Sequence, residues 1–523
     1  LQLNSSVAGG SIASDASFNF KPQIPRYEIS LNTERLNLNP VINTPTDLSM
    51  EAYAKGRGFD PTKMNSRIDL LMNNSSFNGY SIDSLNLESR AVSKVINLQL
   101  GAVVENSRTN ISGELDLTNE TVPVYDLNGF VNNLNLENFV EDTALVTDLN
   151  FTFEADGENL DLDKMRGEFI VKLDSSMYQG KEIDTTSIAL ELKRDASDYR
   201  EIILISDFLD FNIYGTFSVN KAISLLSYES KAISAIISDK IKELNPLNIV
   251  EDTLSSATDQ LDIPDIANEE ISFEFDFEFK DFELIATVLE TEDMAVNGSG
   301  SGEVQNSANN FSISTSLDIL NFINISEDNL IYVSDLETSL NFSRDNQVLA
   351  FDNIFGALSV TGKRFYSGSD IKNYRADLIF NQNRLFINTY AELNSMLKAE
   401  IESYVEMTPV EQDVIFDNLW IEYEGLAWQN RDSMHIVFSQ DHITFEDFAL
   451  YNKDARIAAE GSINKDGRQD LTISADSIPG SIVSKYMMGN VDPDLNTDVN
   501  FVSKINGTFE APDIKADLNV NNI

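Results

Sequence analysis

Strict alternation of apolar and polar residues is the feature that most constrains the fold of this chain. Between Ile271 and Phe279, one isoleucine and four phenylalanines occupy every second position, with Ser, Glu and Asp between them. Successive side chains of a β-strand point to opposite faces of its sheet, so this pattern predicts a strand with one buried face. Leu397–Val405 alternates in the same way, and turn clusters between such segments predict consecutive antiparallel hairpins. The sequence therefore predicts a mainly β fold.

One segment departs from this alternation. Apolar residues recur at helical spacing from Ile223 to Leu244, and Pro246 ends the run, which predicts an amphipathic helix. Val250–Leu261 is a weaker helical candidate. We therefore predict a β segment over 1–220, a helical interruption over 221–265 and a second β segment over 266–523. The apolar stripe of the predicted helix comprises Ile223, Leu226, Ile233, Ile236, Ile237, Ile241 and Leu244.

An internal repeat of about 100 residues runs through the first half of the chain. A unit of this length is too long for a helical repeat protein and contains strand patterns instead. The repeat predicts an extended β structure that grows along one axis. Its matched residues are Gly56, Asp60, Lys63, Met64, Gly79, Ile82 and Asp83, which recur 101 positions later as Gly157, Asp161, Lys164, Met165, Gly180, Ile183 and Asp184.

Composition excludes several classes of function. The 523 residues include 37 Lys and Arg against 85 Asp and Glu, which gives a formal net charge of −48. This charge disfavours binding to nucleic acid and weakens docking flat on an anionic membrane surface. With no Cys and 2 His, the chain has few ligands for a transition metal and few groups for acid–base catalysis. We therefore expect no enzyme activity, no cofactor and no nucleic-acid partner.

Two clusters of residues in the sequence are candidates for metal sites. Asp156, Glu158, Asp161 and Asp163 lie close in sequence, but their spacing does not match the calcium loop of an EF-hand, which favours a solvated turn. His435 and His442 lie seven residues apart without an evident third ligand. We predict no metal site at either place.

The sequence has neither a signal peptide at its start nor an apolar segment of membrane-spanning length. The chain starts at Leu1 without a signal peptide, and no apolar run approaches the roughly 18 residues of a membrane-spanning helix. We expect the sequence to be the middle portion of a longer protein.

Several diffuse strand motifs carry a family resemblance. In the first half they are 56–60 with 77–80, and the repeated copy over 157–184; in the second half they are Trp428, 436–448, 457–463 and 505–514. The last of these contains a Gly-Thr-x-x-x-Pro strand connection, at Gly507 to Pro512. With these motifs the chain resembles the TamB-like translocation and assembly module proteins, which belong to the AsmA-like group of bacterial envelope proteins.

The resemblance implies a fold, a location and partners. The fold would be a long repetitive antiparallel β-sheet, curled into an elongated open-sided hydrophobic groove (β-taco-like), with one amphipathic helical interruption. The protein would bridge the periplasm of a Gram-negative bacterium, held in the inner membrane by an anchor absent from this chain. It would carry phospholipid by its acyl chains towards the outer membrane, or support outer-membrane protein assembly beside a barrel partner of the TamA/BamA type.

The alternating faces supply candidates for the groove, but a filled β core would use the same residues. A structural or adhesive β-rod at the cell surface, and a chaperone that pairs its sheet edge with unfolded barrel strands, therefore stay open as alternatives. The predicted helix would plug the groove or cover a sheet end. Candidate groove-lining residues are Phe273, Phe275, Phe277, Leu397, Ile401, Ile457, Ala459 and Ile463, and the candidate groove helix contributes Ile223, Leu226, Ile233, Ile237 and Ile241.

Overall fold

The computed structural model describes residues 2–7, 9–140, 145–243, 257–258, 261, 264–288, 291, 294–326, 329–394, 396–408, 411–439, 441–482 and 497–521. Antiparallel β-strands dominate this part of the chain, which forms 32 strands in all. The prediction of a mainly β fold built on a long antiparallel sheet is confirmed.

The chain divides into two compact units. Unit 1 comprises Leu1–Val219 and Phe277–Glu292, and unit 2 comprises Asn220–Asp276 and Asp293–Ile523. The described residues of the predicted helical interruption thus all belong to unit 2.

Unit 1 contains the first sixteen strands. From β1 to β11, each strand pairs antiparallel with the next along the chain; β11 then pairs with β14, and pairing continues to β16. The short hairpin β12–β13 lies against β10. The bounds are β1 Gln2–Val7, β2 Gly10–Asn19, β3 Arg26–Leu36, β4 Thr46–Arg57, β5 Asn65–Phe77, β6 Tyr80–Val92, β7 Val95–Val104, β8 Ser107–Asp116, β9 Val124–Leu134, β10 Thr147–Glu158, β11 Arg166–Leu173, β12 Ser176–Tyr178, β13 Lys181–Ile183, β14 Thr186–Arg194, β15 Arg200–Ser206 and β16 Leu209–Thr216.

Strand β17, Ile271–Phe279, contributes residues to both units. In unit 2, consecutive strands pair antiparallel from β18 to β25 and from β27 to β32; β25 also pairs with β27, and the short β26 pairs with β25 and β28. The bounds are β18 Met294–Asn306, β19 Asn310–Ser326, β20 Asn329–Asp345, β21 Ile354–Ser367, β22 Asp370–Asn381, β23 Arg384–Leu393, β24 Leu397–Met407, β25 Glu411–Tyr423, β26 Leu426–Gln429, β27 Met434–Ser439, β28 His442–Asn452, β29 Ala455–Asn464, β30 Arg468–Pro479, β31 Asp498–Thr508 and β32 Pro512–Asn521.

The helices are few and, with one exception, short. The exception, α2, spans Val219–Glu243; α1 is Asn39–Ile42 and α3 is Glu283–Val288. Single 3-10 turns lie at Leu136–Asn138, Asp265–Asn268 and Phe351–Asn353. The weaker helical candidate, Val250–Leu261, falls almost entirely outside the described residues. Within the part of the chain that the structure describes, no helix is long and apolar enough to cross a membrane.

The sequence repeat has a counterpart in local structure. Gly58 has a positive φ of 76° and its N–H donates to the carbonyl of Pro25 at 2.8 Å; Asn159, 101 residues later, has a φ of 69° and donates to the carbonyl of Pro123 at 2.8 Å. The buried hydroxyls of Thr46 and Thr147 likewise accept equivalent backbone hydrogen bonds at 2.6 and 2.8 Å. The two copies therefore turn the chain in the same way at the same points.

Candidate functional site

One face of the unit 1 sheet is apolar from β3 to β16. Directly paired residues of antiparallel strands lie on the same face, so the strand register lets a row of side chains be followed across the sheet. Two central rows on this face, here called the central rows, consist almost wholly of apolar residues and glycine. The first contains Leu31, Ala52, Leu70, Leu87, Leu100, Ile111, Gly129, Phe153, Val171 and Ile188; the second contains Ile29, Ala54, Ile68, Ser89, Leu98, Gly113, Leu127, Ala155, Phe169, Leu190, Leu204 and Phe211.

The central rows remain partly accessible. Every residue in them is half-buried except Ile68, which is exposed. The fully buried residues of the same face, such as Met72, Val131, Tyr125 and Leu192, all belong to rows nearer the strand ends. A filled core would bury the middle of the face most deeply. The observed order is reversed, as expected for a face that is open along its middle.

The opposite face of the same strands is polar. From β2 to β10, one row on that face reads Asp15, Ser30, Tyr53, Asp69, Glu88, Gln99, Ser112, Asn128 and Glu154. A depression of about 700 Å³ lies on this face over β1–β6. Arg67 and Asp69, which are 2.8 Å apart, line the depression as an ion pair. We therefore place the candidate site on the apolar face.

Glycines opposite aromatic rings shape the strand ends of the apolar face. Tyr27 pairs with Gly56, and Tyr125 pairs with Gly157, its repeat counterpart. In both pairs the tyrosine covers the glycine so closely that an added Cβ would lie 2.5–2.8 Å from the phenol oxygen. Burial raises the pKa of Tyr125. The repeat thus preserves a tyrosine–glycine contact at which a side chain on the glycine would clash.

Unit 2 has an apolar face of the same kind. A single row of directly paired residues crosses fourteen of its strands, from Val304 in β18 to Ile514 in β32. Val304 is 1% exposed and Ile514 is 59% exposed, with mostly half-buried residues between them. The complete row is Val304, Ile313, Phe342, Gly356, Phe380, Leu385, Val405, Val414, Ile436, Phe445, Gly461, Leu471, Ile505 and Ile514.

Five of the candidate groove-lining residues lie on the apolar face of unit 2. Leu397 and Ile401 share the face of Val405 in β24, and Ile457, Ala459 and Ile463 share the face of Gly461 in β29. Four of the five are half-buried and Ile457 is exposed.

The other three candidates lie in β17. Phe273 is buried, whereas Phe275 and Phe277 are half-buried, and the charged residues between them are exposed. The ring of Phe275 covers Gly302, where an added Cβ would lie 2.7 Å from the ring. Gly302 lies on the same face of β18 as Val304. Phe275 therefore extends the apolar face of unit 2 onto β17.

Among its described side chains, the predicted apolar stripe of α2 is buried at one position only, Ile236, which is 2% exposed. Ile223 is 62% exposed, and Leu226 and Ile237 are also exposed. Ile233 is half-buried, and the side chain of Ile241 lies outside the described residues. The stripe that packs contains Ala222, Leu225, Tyr228, Glu229, Ala232, Ala235 and Ile236. Three alanines allow the helix to approach its support closely, which hydrophobicity alone does not indicate.

This buried stripe covers part of the unit 2 apolar face. Phe311, Arg344 and Ile354 form one row on that face near the strand ends, and each is at most 3% exposed. Nε and Nη2 of Arg344 each donate to a different carboxylate oxygen of Glu229 in α2 at 2.7 Å. The Arg344 guanidinium also lies 5.8 Å from the centre of the Tyr228 ring. The helix is thus attached to the apolar face by a buried, bidentate ion pair.

Unit 1 has a buried arginine with a more open partner. Arg200 Nη1 donates to Asp163 Oδ1 at 3.1 Å and Nη2 donates to the carbonyl of Leu162 at 2.8 Å. Partial burial by itself would raise the pKa of Asp163. Hydrogen bonds from the Ser218 hydroxyl and the Val219 N–H, together with the charge of Arg200, lower this pKa overall. Asp163 is therefore held ionised as a structural group.

Most of the candidate metal ligands are engaged in pairs with other side chains. Asp161 lies 2.9 Å from Lys164, and Glu158 lies 3.2 Å from Arg166. His435 lies 3.0 Å from Asp413, and His442 lies 2.6 Å from Asp441. Among the described residues, no group of three or more His, Asp or Glu is placed to hold a metal ion.

In comparisons with known proteins, no family model and no curated sequence matches this chain.

Proposed function

We propose that this protein binds phospholipid acyl chains along its apolar face and carries them across the bacterial envelope. The observation that carries the proposal is the half-buried state of the two central rows in unit 1, which cross ten and twelve strands without a charged residue. Such a surface offers an acyl chain a continuous apolar support while its middle stays accessible. The periplasmic location, the inner-membrane anchor and the TamA/BamA-type partner rest on the family resemblance alone.

The energetics suit transport along the face better than tight binding at one point. Removing an acyl chain from water gains about 0.8 kcal/mol for each methylene buried. An acyl chain that moves along equivalent rows keeps most of this favourable free energy at every step, because each row contains leucine, isoleucine, valine or phenylalanine. Because the sequence repeats after 101 residues, two copies contribute similar strands to this apolar face. A path of this kind has no single deep site in which the lipid would be trapped.

The charge distribution supports the same proposal. Polar and acidic side chains lie on the face opposite the central rows, as in the row from Asp15 to Glu154. The net charge of −48 therefore keeps a large sheet soluble without placing charge along the path of the acyl chains. A lipid head group would stay in water at the open side of the face.

A charge placed in a central row tests the proposal. Leu100→Glu puts a carboxylate in the middle of the apolar face, whereas Gln99→Glu puts one on the polar face of the same strand. We expect Leu100→Glu to lower the amount of phospholipid that co-purifies with the protein several-fold, measured by extraction and mass spectrometry. Gln99→Glu should leave it unchanged. Equal phospholipid in wild type and both variants, with the far-ultraviolet circular dichroism preserved, would overturn the proposal.

A further inference from the structure

Four aromatic rings form a ladder at one end of β2–β4, and three of them, Phe18, Phe20 and Phe59, are exposed. Phe18 stacks on Phe20 with ring centres 6.2 Å apart, Phe20 lies 6.5 Å from Phe59, and Phe59 stacks on Tyr27 at 5.3 Å. Phe20 is 68% exposed and Phe59 is 56% exposed, and neighbouring Ile24 is exposed as well. Exposed apolar side chains that are clustered and bordered by polar residues are typical of an interaction site.

Exposed cations flank the residues of this aromatic ladder in the sequence, although the protein as a whole is strongly acidic. Segments 20–26 and 57–63 contain four cations, Lys21, Arg26, Arg57 and Lys63, against the single acid Asp60. Within the described residues, none of the four cations has an acidic side chain within ion-pair distance. Arg26 and Arg57 are direct cross-strand partners, and like charges in that position repel each other. The arrangement fits an anionic partner that would relieve this repulsion.

The second copy of the repeat lacks both features. Its equivalent segments, 118–124 and 158–164, carry four acids and one lysine. Arg57 is replaced there by Glu158 and Phe59 by Leu160, although the backbone turns in the same way at Gly58 and Asn159. The fold of this turn therefore requires neither the aromatic rings nor the cations, so a structural role does not account for them.

We infer that the aromatic ladder and its four cations dock unit 1 on an anionic phospholipid bilayer. Aromatic rings favour the boundary between head groups and acyl chains, and Lys and Arg side chains are attracted to anionic head groups. At an ionic strength of about 0.1 M the screening length is about 10 Å. The local cations then dominate over distant acidic groups at the bilayer surface.

The aromatic ladder lies at the edge of the apolar face that we propose as the lipid-binding surface. A role of the ladder in lipid entry therefore rests on the proposed function. Phe18, Tyr27 and Gly56 form one row on the apolar face, next to the central row that contains Ile29 and Ala54. A bilayer in contact with the ladder therefore lies beside the first strands of the apolar face. Docking here would allow an acyl chain to pass between the bilayer and the central rows.

Vesicle flotation at about 0.1 M salt tests the docking. The probes are vesicles of phosphatidylcholine alone and vesicles of phosphatidylcholine with phosphatidylglycerol. We expect the protein to float with the phosphatidylglycerol vesicles only, and to be released by high salt. Arg26→Gln with Arg57→Gln should weaken the binding at least about tenfold, and Phe20→Ser with Phe59→Ser should abolish it.

Matched controls come from the second copy of the repeat. Leu160→Ser and Lys164→Gln change exposed residues at the positions equivalent to Phe59 and Lys63, and both variants should float like the wild type. Wild-type protein that does not float with phosphatidylglycerol vesicles would overturn the inference. Self-association that depends on Phe20 and Phe59, without vesicle binding, would also overturn it. Co-purified phospholipid is measured separately, so failure of docking with phospholipid retained would leave the proposed function standing.

Discussion

The apolar faces of the two units are built from the same alternation but are covered differently. Around Leu87 and Leu100 in unit 1, the central rows are half-buried. The long row of unit 2 from Val304 to Ile514 is also mostly half-buried, but near the strand ends the row of Phe311, Arg344 and Ile354 is almost fully buried, and Arg344 is held by Glu229 of α2. The difference shows that alternation determines which residues share a face, whereas in unit 2 a separate helix is attached to one part of that face.

Of the variants considered for this comparison, loss of one partner of the Arg344–Glu229 pair should change the free energy of unfolding most. Glu229→Ala leaves the guanidinium buried without its carboxylate, so we expect it to lower the free energy of unfolding of unit 2 by about 3–5 kcal/mol. Trp420 and Trp428 both belong to unit 2, so their fluorescence during urea denaturation reports on that unit. Hydrogen exchange in β6–β8 of unit 1 should be unchanged.

The double variant Glu229→Met with Arg344→Met is the control for this prediction. It keeps apolar packing and removes both charges, so we expect unit 2 to recover most of its stability. If Glu229→Ala unfolds at the same urea concentration as wild type, α2 does not depend on the ion pair for its attachment to the apolar face.

Asp163→Asn tests the Arg200–Asp163 pair of unit 1 and should lower the free energy of unfolding by a smaller amount. Asparagine keeps a polar side chain but loses the charge-assisted hydrogen bond, which is worth about 1.5–3 kcal/mol at neutral pH. The pKa of Asp163 is lowered in the folded protein. Its carboxylate therefore stabilises the fold above the usual pKa of aspartate, and this contribution is lost as the pH falls through the lowered value.

The measurement is the free energy of unfolding of unit 1 from pH 7 down to about pH 3. We expect the difference between wild type and Asp163→Asn to be largest at pH 7 and to shrink on acidification. A difference that stays constant over this range would show that the ionisation of Asp163 does not support the Arg200 contact.

Gly157→Ala tests the tyrosine–glycine contacts of unit 1 and should have the smallest effect of the three. The added methyl group would lie 2.7 Å from the Arg166 carbonyl and 2.8 Å from the Tyr125 hydroxyl, so we expect a loss of about 1–3 kcal/mol. Gly101→Ala is the matched control, because its nearest neighbour would be 3.7 Å away. Similar melting temperatures for the two variants would refute the steric role of the Tyr125–Gly157 contact.

Much of the fold could be predicted from local sequence. The alternation in Ile271–Phe279 and Leu397–Val405 identified strands and the face of each candidate residue, because a strand repeats every two residues. Helix α2 was placed within a few residues of its observed bounds. The prediction was wrong about which side of the helix is buried: of the described isoleucines only Ile236 is buried, and Ala222, Ala232 and Ala235 are buried with it.

The remaining features depend on contacts between residues far apart in sequence. Arg344 and Glu229 are separated by 115 residues, and nothing near either residue indicates the other. The aromatic ladder joins Phe18 and Phe20 to Phe59 through the pairing of β2, β3 and β4. Comparison of the two repeat copies, which differ at Phe59 and Leu160, was the sequence signal that could have identified this surface.

A phospholipid with a photoreactive diazirine on its acyl chain tests the central claim most directly, because it requires no change in the protein. After irradiation, adducts are mapped to residues by mass spectrometry. We predict adducts on central-row residues such as Leu70, Leu87 and Leu100, and none on Gln99 of the polar face or on Phe311, which is 2% exposed. Adducts on the polar face, or equal labelling of Leu100 and Phe311, would contradict the account.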